Sequence, residues 1–132
     1  MSWRWHRYAP APGTLLCRLE AIPDGACQEL RFGDSADGFR LVLYRQGSLV
    51  RAYVNRCPHL LLPLNAEPNQ FLLLKNFEIM CAYHGAVFRL EDGYCIAGPA
   101  EGKGLEPVPV FVDAAQVYLG MRSGGTPVGS SA

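Results

Sequence analysis

The sequence has little of what several common functions require. It carries no net charge, with 12 basic and 12 acidic side chains among 132 residues, so neither nucleic acid nor a membrane surface is an expected partner. No run of 18 apolar residues is present, and we expect no membrane-spanning helix. No G-x-G-x-x-G motif follows a predicted strand, which argues against a dinucleotide-binding reductase. The basic N-terminus lacks the apolar stretch of a signal peptide, and we expect a cytoplasmic protein.

Histidine is also scarce, and its distribution is informative. Of the three histidines in the chain, two lie close to cysteines, in Cys57-Pro58-His59 and in Cys81-Ala82-Tyr83-His84. Pro58 stiffens the first motif by fixing φ, and Gly85 allows a sharp turn after the second because it has no Cβ. Two thiols and two imidazoles form a complete ligand set for a [2Fe–2S] cluster in which imidazoles replace thiolates on one iron.

The same four side chains are compatible with two other interpretations. Structural zinc also binds two Cys and two His in a tetrahedron, and four unrelated core residues would give the same list. Zinc fingers, however, usually place Cys with Cys and His with His, the latter on a helix. Each motif here mixes the two residue types, and no helical period surrounds either motif. The pattern therefore favours the iron–sulfur cluster over zinc.

Longer segments around these motifs resemble a known family. The stretch of about 14–122 is similar to Rieske-type [2Fe–2S] proteins, specifically to small soluble Rieske ferredoxins. The matching segments are 55–59, 63–65, 79–88, 91–95 and 98–99. The resemblance implies one [2Fe–2S] cluster per chain, with Cys57 and Cys81 on the inner iron and His59 and His84 on the outer, more exposed iron.

The resemblance also identifies the residues expected around the cluster. Gly98 and Pro99 correspond to a proline loop that covers the cluster from a third side, with an ordinary turn as the alternative. The segment 60–62 is Leu-Leu-Leu, where many members carry Arg or Lys and then Gly. These leucines are either core residues or an apolar collar on which a redox partner docks. The predicted surroundings are Leu60, Leu62, Tyr83, Gly85, Ala86, Phe88, Gly98 and Pro99.

Two positions in this set predict a low reduction potential. Hydrogen bonds to the cluster sulfurs stabilise an added electron and raise the potential. High-potential relatives carry Ser and Tyr two and four positions after the second ligand His, where this chain has Ala86 and Phe88. Neither of these side chains can donate, so we expect a midpoint near the bottom of the Rieske range of about −150 to +300 mV. Tyr83 is the one nearby hydroxyl that could raise it.

The resemblance implies an electron carrier rather than an enzyme. Its expected partners are redox proteins, namely a reductase that donates electrons and an oxygenase-type acceptor. A ring-hydroxylating oxygenase needs a further iron held by two His and a carboxylate, and only His6 remains once His59 and His84 are assigned. The alternative is a redox-sensing or structural Rieske module, or a subunit of a larger oxidoreductase without shuttle activity.

Alternating apolar residues and frequent turn signals predict an all-β fold. The resemblance specifies a Rieske-like antiparallel β-sandwich or barrel with a small cluster-binding subdomain. Predicted strands cover 15–19, 29–32, 39–44, 49–54, 71–74, 78–81, 87–90, 94–97, 108–112 and 117–121. We expect an irregular N-terminal arm over 1–13, a Rieske domain over 14–122 with cluster loops at about 55–65 and 81–99, and a flexible tail over 123–132.

Three cysteines lie outside the two motifs. We expect Cys17, Cys27 and Cys95 to be buried or half-buried apolar residues, because disulfides are rare in the cytoplasm. Quinol-oxidising relatives join one extra cysteine from each cluster loop in a disulfide. The matching positions here are Leu62 and Tyr83, so that bridge cannot form.

Overall fold

The structure is a computed structural model that describes residues 3–33, 38–58, 62–75 and 77–121. Within these ranges the chain forms eleven strands and two single-turn 3₁₀ helices, Trp3–Trp5 and Leu19–Ala21. The strands are β1 (Leu15–Arg18), β2 (Cys27–Phe32), β3 (Phe39–Gln46), β4 (Leu49–Val54), β5 (Leu72–Leu74), β6 (Glu78–Met80), β7 (Val87–Arg89), β8 (Cys95–Ala97), β9 (Pro107–Val108), β10 (Val110–Asp113) and β11 (Gln116–Leu119).

The strands are arranged in three antiparallel sheets. The outer sheet has the order β1-β11-β10, the central sheet β2-β3-β4-β9, and the small sheet β5-β6-β7-β8. Every strand pairing in these sheets is antiparallel. The predicted all-β antiparallel fold is therefore confirmed. The second cysteine motif lies between β6 and β7 of the small sheet, and the prediction of a cluster-binding subdomain refers to this sheet.

The central sheet is covered on both faces. Side chains along a strand alternate between faces, and in β3 Phe39, Leu41 and Leu43 enter one core while Val42 and Tyr44 enter the other. The first core lies against the outer sheet, and the second lies against the small sheet. Both sets of β3 side chains are buried for this reason, so the expected polar–apolar alternation is absent from β3.

The prediction of a single strand over 108–112 is wrong in one respect. The structure divides this segment at Pro109 into β9, which pairs with β4 in the central sheet, and β10, which pairs with β11 in the outer sheet. Proline has no N–H to donate to a sheet ladder, which favours a break at this position. The Pro109 carbonyl accepts the N–H of Gly120 at 2.8 Å.

The N-terminal arm packs against the body. Trp3 is buried with its ring 6.1 Å from that of Phe39, and its backbone N–H donates to a Glu106 carboxylate oxygen at 2.6 Å. The predicted tail over 123–132 lies outside the described residues. Among the described helices, none has the length and apolarity needed to cross a membrane.

Candidate functional site

The first cysteine loop leaves the central sheet at the end of β4. The Cys57 N–H donates to the Leu62 carbonyl at 2.6 Å, which closes the loop across the four residues 58–61. The side-chain oxygen of Asn55 accepts the Leu64 N–H at 2.8 Å, which joins the two ends of the loop. His59 and Leu60, both predicted site residues, lie between these bonds and outside the described residues.

The second cysteine loop joins β6 to β7 in the small sheet. The Cys81 N–H donates to the Ala86 carbonyl at 2.7 Å, and the Gly85 N–H donates to the Cys81 carbonyl at 3.1 Å. Gly85 has φ = +75°, a conformation that residues with a Cβ rarely adopt. The Ala82 N–H donates to the Leu64 carbonyl at 2.8 Å. The two cysteine loops are thus tied to each other by a backbone hydrogen bond.

The thiols and the described imidazole occupy different environments. Cys57 and Cys81 are each 2% exposed and belong to the same apolar core, and both are free of disulfides. His84 and Tyr83, in contrast, are exposed. Two buried thiols and an exposed imidazole form a donor set that fits an iron–sulfur group with one protected side and one accessible side.

A third segment packs on the second loop. A Cβ added at Gly98 would lie 2.8 Å from the Ala86 Cα and 3.1 Å from the Gly85 carbonyl oxygen. Gly98 also has φ = +91°, so a larger residue would be both clashing and strained. The segment after β8 therefore lies too close to the backbone of the second loop to allow a side chain at position 98. Pro99 is exposed beside it, and its covering role remains a prediction.

The two positions that predict a low potential lie in the core. Ala86 and Phe88 are both wholly buried, in the apolar cluster that also contains the two cysteines. Leu62 is half-buried, whereas Tyr83 is 45% exposed. The side chains of residues 86 and 88 thus offer no hydroxyl inside this cluster, as the sequence predicts.

Sequence reasoning missed a buried carboxylate that supports the first loop. Glu29, on β2, has a side chain that is only 4% exposed. One of its oxygens accepts from the Asn65 amide at 3.1 Å, and the other accepts from the Asn55 amide at 3.0 Å and from Arg40 Nε at 2.6 Å. The two asparagines stand at the two ends of the first cysteine loop. Glu29 and Arg40 therefore attach this loop to β2 and β3.

The environment of Glu29 predicts a specific dependence on pH. Burial raises the pKa of this carboxyl, but hydrogen bonds from Arg40 and Asn65 and the charges of Arg40 and Arg31 outweigh burial, so the pKa lies below its ordinary value of 4.5. A lowered pKa means that the unfolded chain binds more protons than the folded chain. The stability that ionised Glu29 contributes is therefore complete above the ordinary pKa. It is lost as the pH falls through the lowered pKa of the folded state.

We therefore expect the urea midpoint of the wild-type chain to fall more steeply below about pH 4.5 than that of Glu29→Gln, which has no carboxyl to protonate. Asp92, whose pKa is also lowered, through a backbone hydrogen bond from Tyr94 and its pairing with Arg89, is present in both chains and cancels. Parallel pH profiles for the two proteins would contradict the role assigned to Glu29.

The three remaining cysteines are buried or half-buried, which confirms that prediction. Burial raises the pKa of the Cys27 thiol to about 12 and also raises the pKa of Cys17. Cys95 is wholly buried, and its thiol donates to the Ala97 carbonyl at 3.2 Å. Because a metal ligand must be a thiolate, Cys27 and Cys17 are poorly suited to bind a metal.

Comparisons with known proteins identify relatives of this arrangement. A family model described as "Rieske [2Fe-2S] domain" matches residues 14–116. No curated protein sequence matches the chain. Among solved structures, the ferredoxin of carbazole 1,9a-dioxygenase from Nocardioides aromaticivorans IC177 is 21% identical with a TM-score of 0.67, and the match covers 83% of this chain and 97% of that one.

Two further solved structures show the same fold at similar identity. A complex of reduced oxygenase and oxidized ferredoxin in carbazole 1,9a-dioxygenase contains a chain that is 22% identical with a TM-score of 0.62, covering 80% of this chain and 90% of that one. The terminal oxygenase of carbazole 1,9a-dioxygenase from Novosphingobium sp. KA1 is 21% identical with a TM-score of 0.63, covering 83% of this chain but 28% of that one. The fold thus occurs both as a separate small protein and as part of a larger one.

Proposed function

Because the chain belongs to the Rieske [2Fe–2S] domain family, we propose that it is a one-electron carrier between a reductase and a terminal acceptor such as an oxygenase. Membership of this family implies one [2Fe–2S] cluster per chain. When bound, the cluster supplies a centre that accepts and releases a single electron. The match covers 97% of a separate ferredoxin but only 28% of an oxygenase chain. This difference favours a carrier over a catalytic chain.

The ligand assignment forms part of this proposal. Cys57 and Cys81 would hold the inner iron, and His59 and His84 would hold the outer iron. The observation that carries the assignment is the burial of both thiols, each 2% exposed, on two loops joined by the bond from Ala82 to Leu64. The exposed position of His84 gives it the role of the accessible ligand through which a partner would exchange electrons.

The surrounding residues have distinct expected roles. The apolar core around Cys57 and Cys81 excludes water from the thiolate side, and Gly98 allows the segment after β8 to lie directly on the second loop. All five cysteines are free of disulfides, which is typical of a reducing compartment. We place the protein in the cytoplasm on this basis.

The ligand assignment can be tested with matched cysteine variants. We expect Cys57→Ser and Cys81→Ser to lose the visible absorption of the cluster and the low-temperature EPR signal of the dithionite-reduced protein. Cys95→Ser removes an equally buried thiol and should retain both signals. Loss of the signals in the Cys95 variant, or their retention in either of the first two, would overturn the assignment. Zinc bound at the same residues would give no EPR signal.

The carrier function needs a separate measurement, since a structural or sensing cluster would pass the first test. We expect a reductive titration to consume one electron per chain, and repeated cycles of dithionite and hexacyanoferrate(III) to leave iron and acid-labile sulfide unchanged. A carrier must survive both oxidation states, whereas a structural module need not. Release of iron on the first reduction would favour the structural alternative.

A further inference from the structure

A groove of about 600 Å³ opens between the N-terminal arm and the first cysteine loop. Its lining includes Trp5, His6 and Arg7 from the arm and Asn55 and Arg56 from the start of the loop. Asn55 and Arg56 lead directly into Cys57, so the wall of the groove is also the stem of a cluster loop. A molecule bound in this groove would lie beside the first cysteine loop.

The groove is lined by positive charge. Arg7, Arg40 and Arg56 all contribute to its walls, and no acidic side chain among its described lining residues offsets them. Arg40 is engaged by Glu29, but Arg56 lies 4.0 Å from Glu106 with its side chain 46% exposed. Arg7 is exposed, with its guanidinium 5.2 Å from the Tyr8 ring. Arg7 and Arg56 are thus two exposed arginines that both line the groove.

Two acidic residues lie close to this groove in the sequence. Asp34 and Asp37 precede Gly38, which lines the groove, and both lie outside the described residues. Failure of an acidic probe to bind the wild type would show that acidic side chains offset the arginines.

The lip of the groove has the composition of a protein interface. Trp5 is 81% exposed, and tryptophan and arginine are among the residue types most enriched at interface hot spots. The arm that carries Trp5 is held in place, because the neighbouring Trp3 is buried against Phe39 and its N–H is bonded to Glu106. The groove is therefore formed before any partner arrives, which reduces the entropic cost of binding.

We propose that this groove receives a carboxylate-bearing segment of a redox partner protein, a proposal that rests on the electron-carrier function above. Arginine binds carboxylates through two parallel N–H donors, and Arg7 and Arg56, which both line the groove, would supply such donors. Trp5 would pack against the apolar part of the same segment. Docking here would bring the partner alongside the first cysteine loop.

A capped octaglutamate peptide serves as the probe, titrated into the cluster-containing protein at low ionic strength. A change in tryptophan emission reports binding at Trp5, because the other tryptophan, Trp3, is buried and does not meet the peptide. We expect saturable binding that weakens as salt is added. The double variant Arg7→Glu, Arg56→Glu should bind about tenfold more weakly or not at all, since like charges across an interface repel strongly. Arg18→Glu, which alters an exposed arginine paired with Glu20 outside the groove, should bind as the wild type does.

Four results would overturn the proposal. They are no binding to the wild type at low salt, unchanged binding in the double variant, equal binding of octalysine, and equally tight binding of citrate, which would indicate a site for small carboxylates. The visible spectrum of each variant is recorded alongside. A wild-type chain that shows the cluster spectrum but does not bind octaglutamate refutes the groove alone, whereas a wild-type chain that forms no cluster refutes the carrier function.

Discussion

Replacement of Glu29 by alanine is expected to destabilise the folded chain by roughly 3–5 kcal/mol, the cost of removing one member of a buried ion pair. The deletion leaves Arg40 without its buried counter-charge and removes the acceptor for the Asn55 and Asn65 amides. Since the two asparagines hold the ends of the first cysteine loop, the loss is concentrated at the loop that we propose binds the cluster. At about 1.4 kcal/mol per factor of ten, this loss corresponds to roughly 100- to 4,000-fold, so the cluster should bleach at least roughly 100-fold faster in the presence of a chelator.

The isosteric variant Glu29→Gln separates shape from hydrogen bonding. Each oxygen of the Glu29 carboxylate accepts from at least one amide or guanidinium group. A carboxamide must turn its NH₂ group toward the donors on one side or the other, which leaves a buried polar group unpaired. We therefore expect the free energy of unfolding to fall by about 1–3 kcal/mol, less than in Glu29→Ala. Glu20→Ala, which removes an exposed acid in a surface pair with Arg18, is the control and should change stability little. Wild-type bleaching rates in both Glu29 variants would refute the supporting role.

The double substitution Ala86→Ser, Phe88→Tyr is expected to raise the midpoint potential by the order of 100 mV, a substantial part of the Rieske range. Both residues lie wholly inside the apolar cluster that contains Cys57 and Cys81. A hydroxyl at either position would be a new donor in a region of low dielectric, where a hydrogen bond to a thiolate or sulfide is strong. Stabilisation of the added negative charge makes reduction easier.

Protein-film voltammetry measures this change directly. The single variants should each give part of the increase, and Phe77→Tyr, which adds a hydroxyl at an exposed position on the β5–β6 turn, should leave the midpoint unchanged. The wild-type midpoint itself should fall in the lower half of the range. A wild-type value above about +100 mV, or no response to the double substitution, would refute the hydrogen-bond argument.

Much of the fold follows from local sequence pattern. The predicted hairpin strands over 39–44 and 49–54 correspond to β3 and β4, because β-branched and aromatic residues flank an evident turn.

The break within 108–112 is harder to predict, since apolar residues continue through the point where the chain changes sheets. Only the missing N–H of Pro109 marks that point locally. Which sheet each half joins depends on contacts distant in the sequence.

Some residues of the candidate site can be predicted from local sequence, and others cannot. The sequence predicts Cys57 and Cys81 as ligands because ligand spacing is a local property of each loop. Glu29 has no such signal, since its partners Asn55 and Asn65 lie 26 and 36 residues away along the chain. The one available indication is weak. Glu29 shares a face of β2 with the buried Cys27, and a charged residue on a buried face requires compensation.

The placement of β3 between two cores sets how accurately this strand must be aligned. A slip of one residue would exchange the two faces of the strand, moving Phe39, Leu41 and Leu43 toward the small sheet and Val42 and Tyr44 toward the outer sheet. Arg40 would move with them, away from the carboxylate it neutralises. Neither core could repack independently of the other, so the alignment of this one strand specifies both the packing of the body and the attachment of the first cysteine loop.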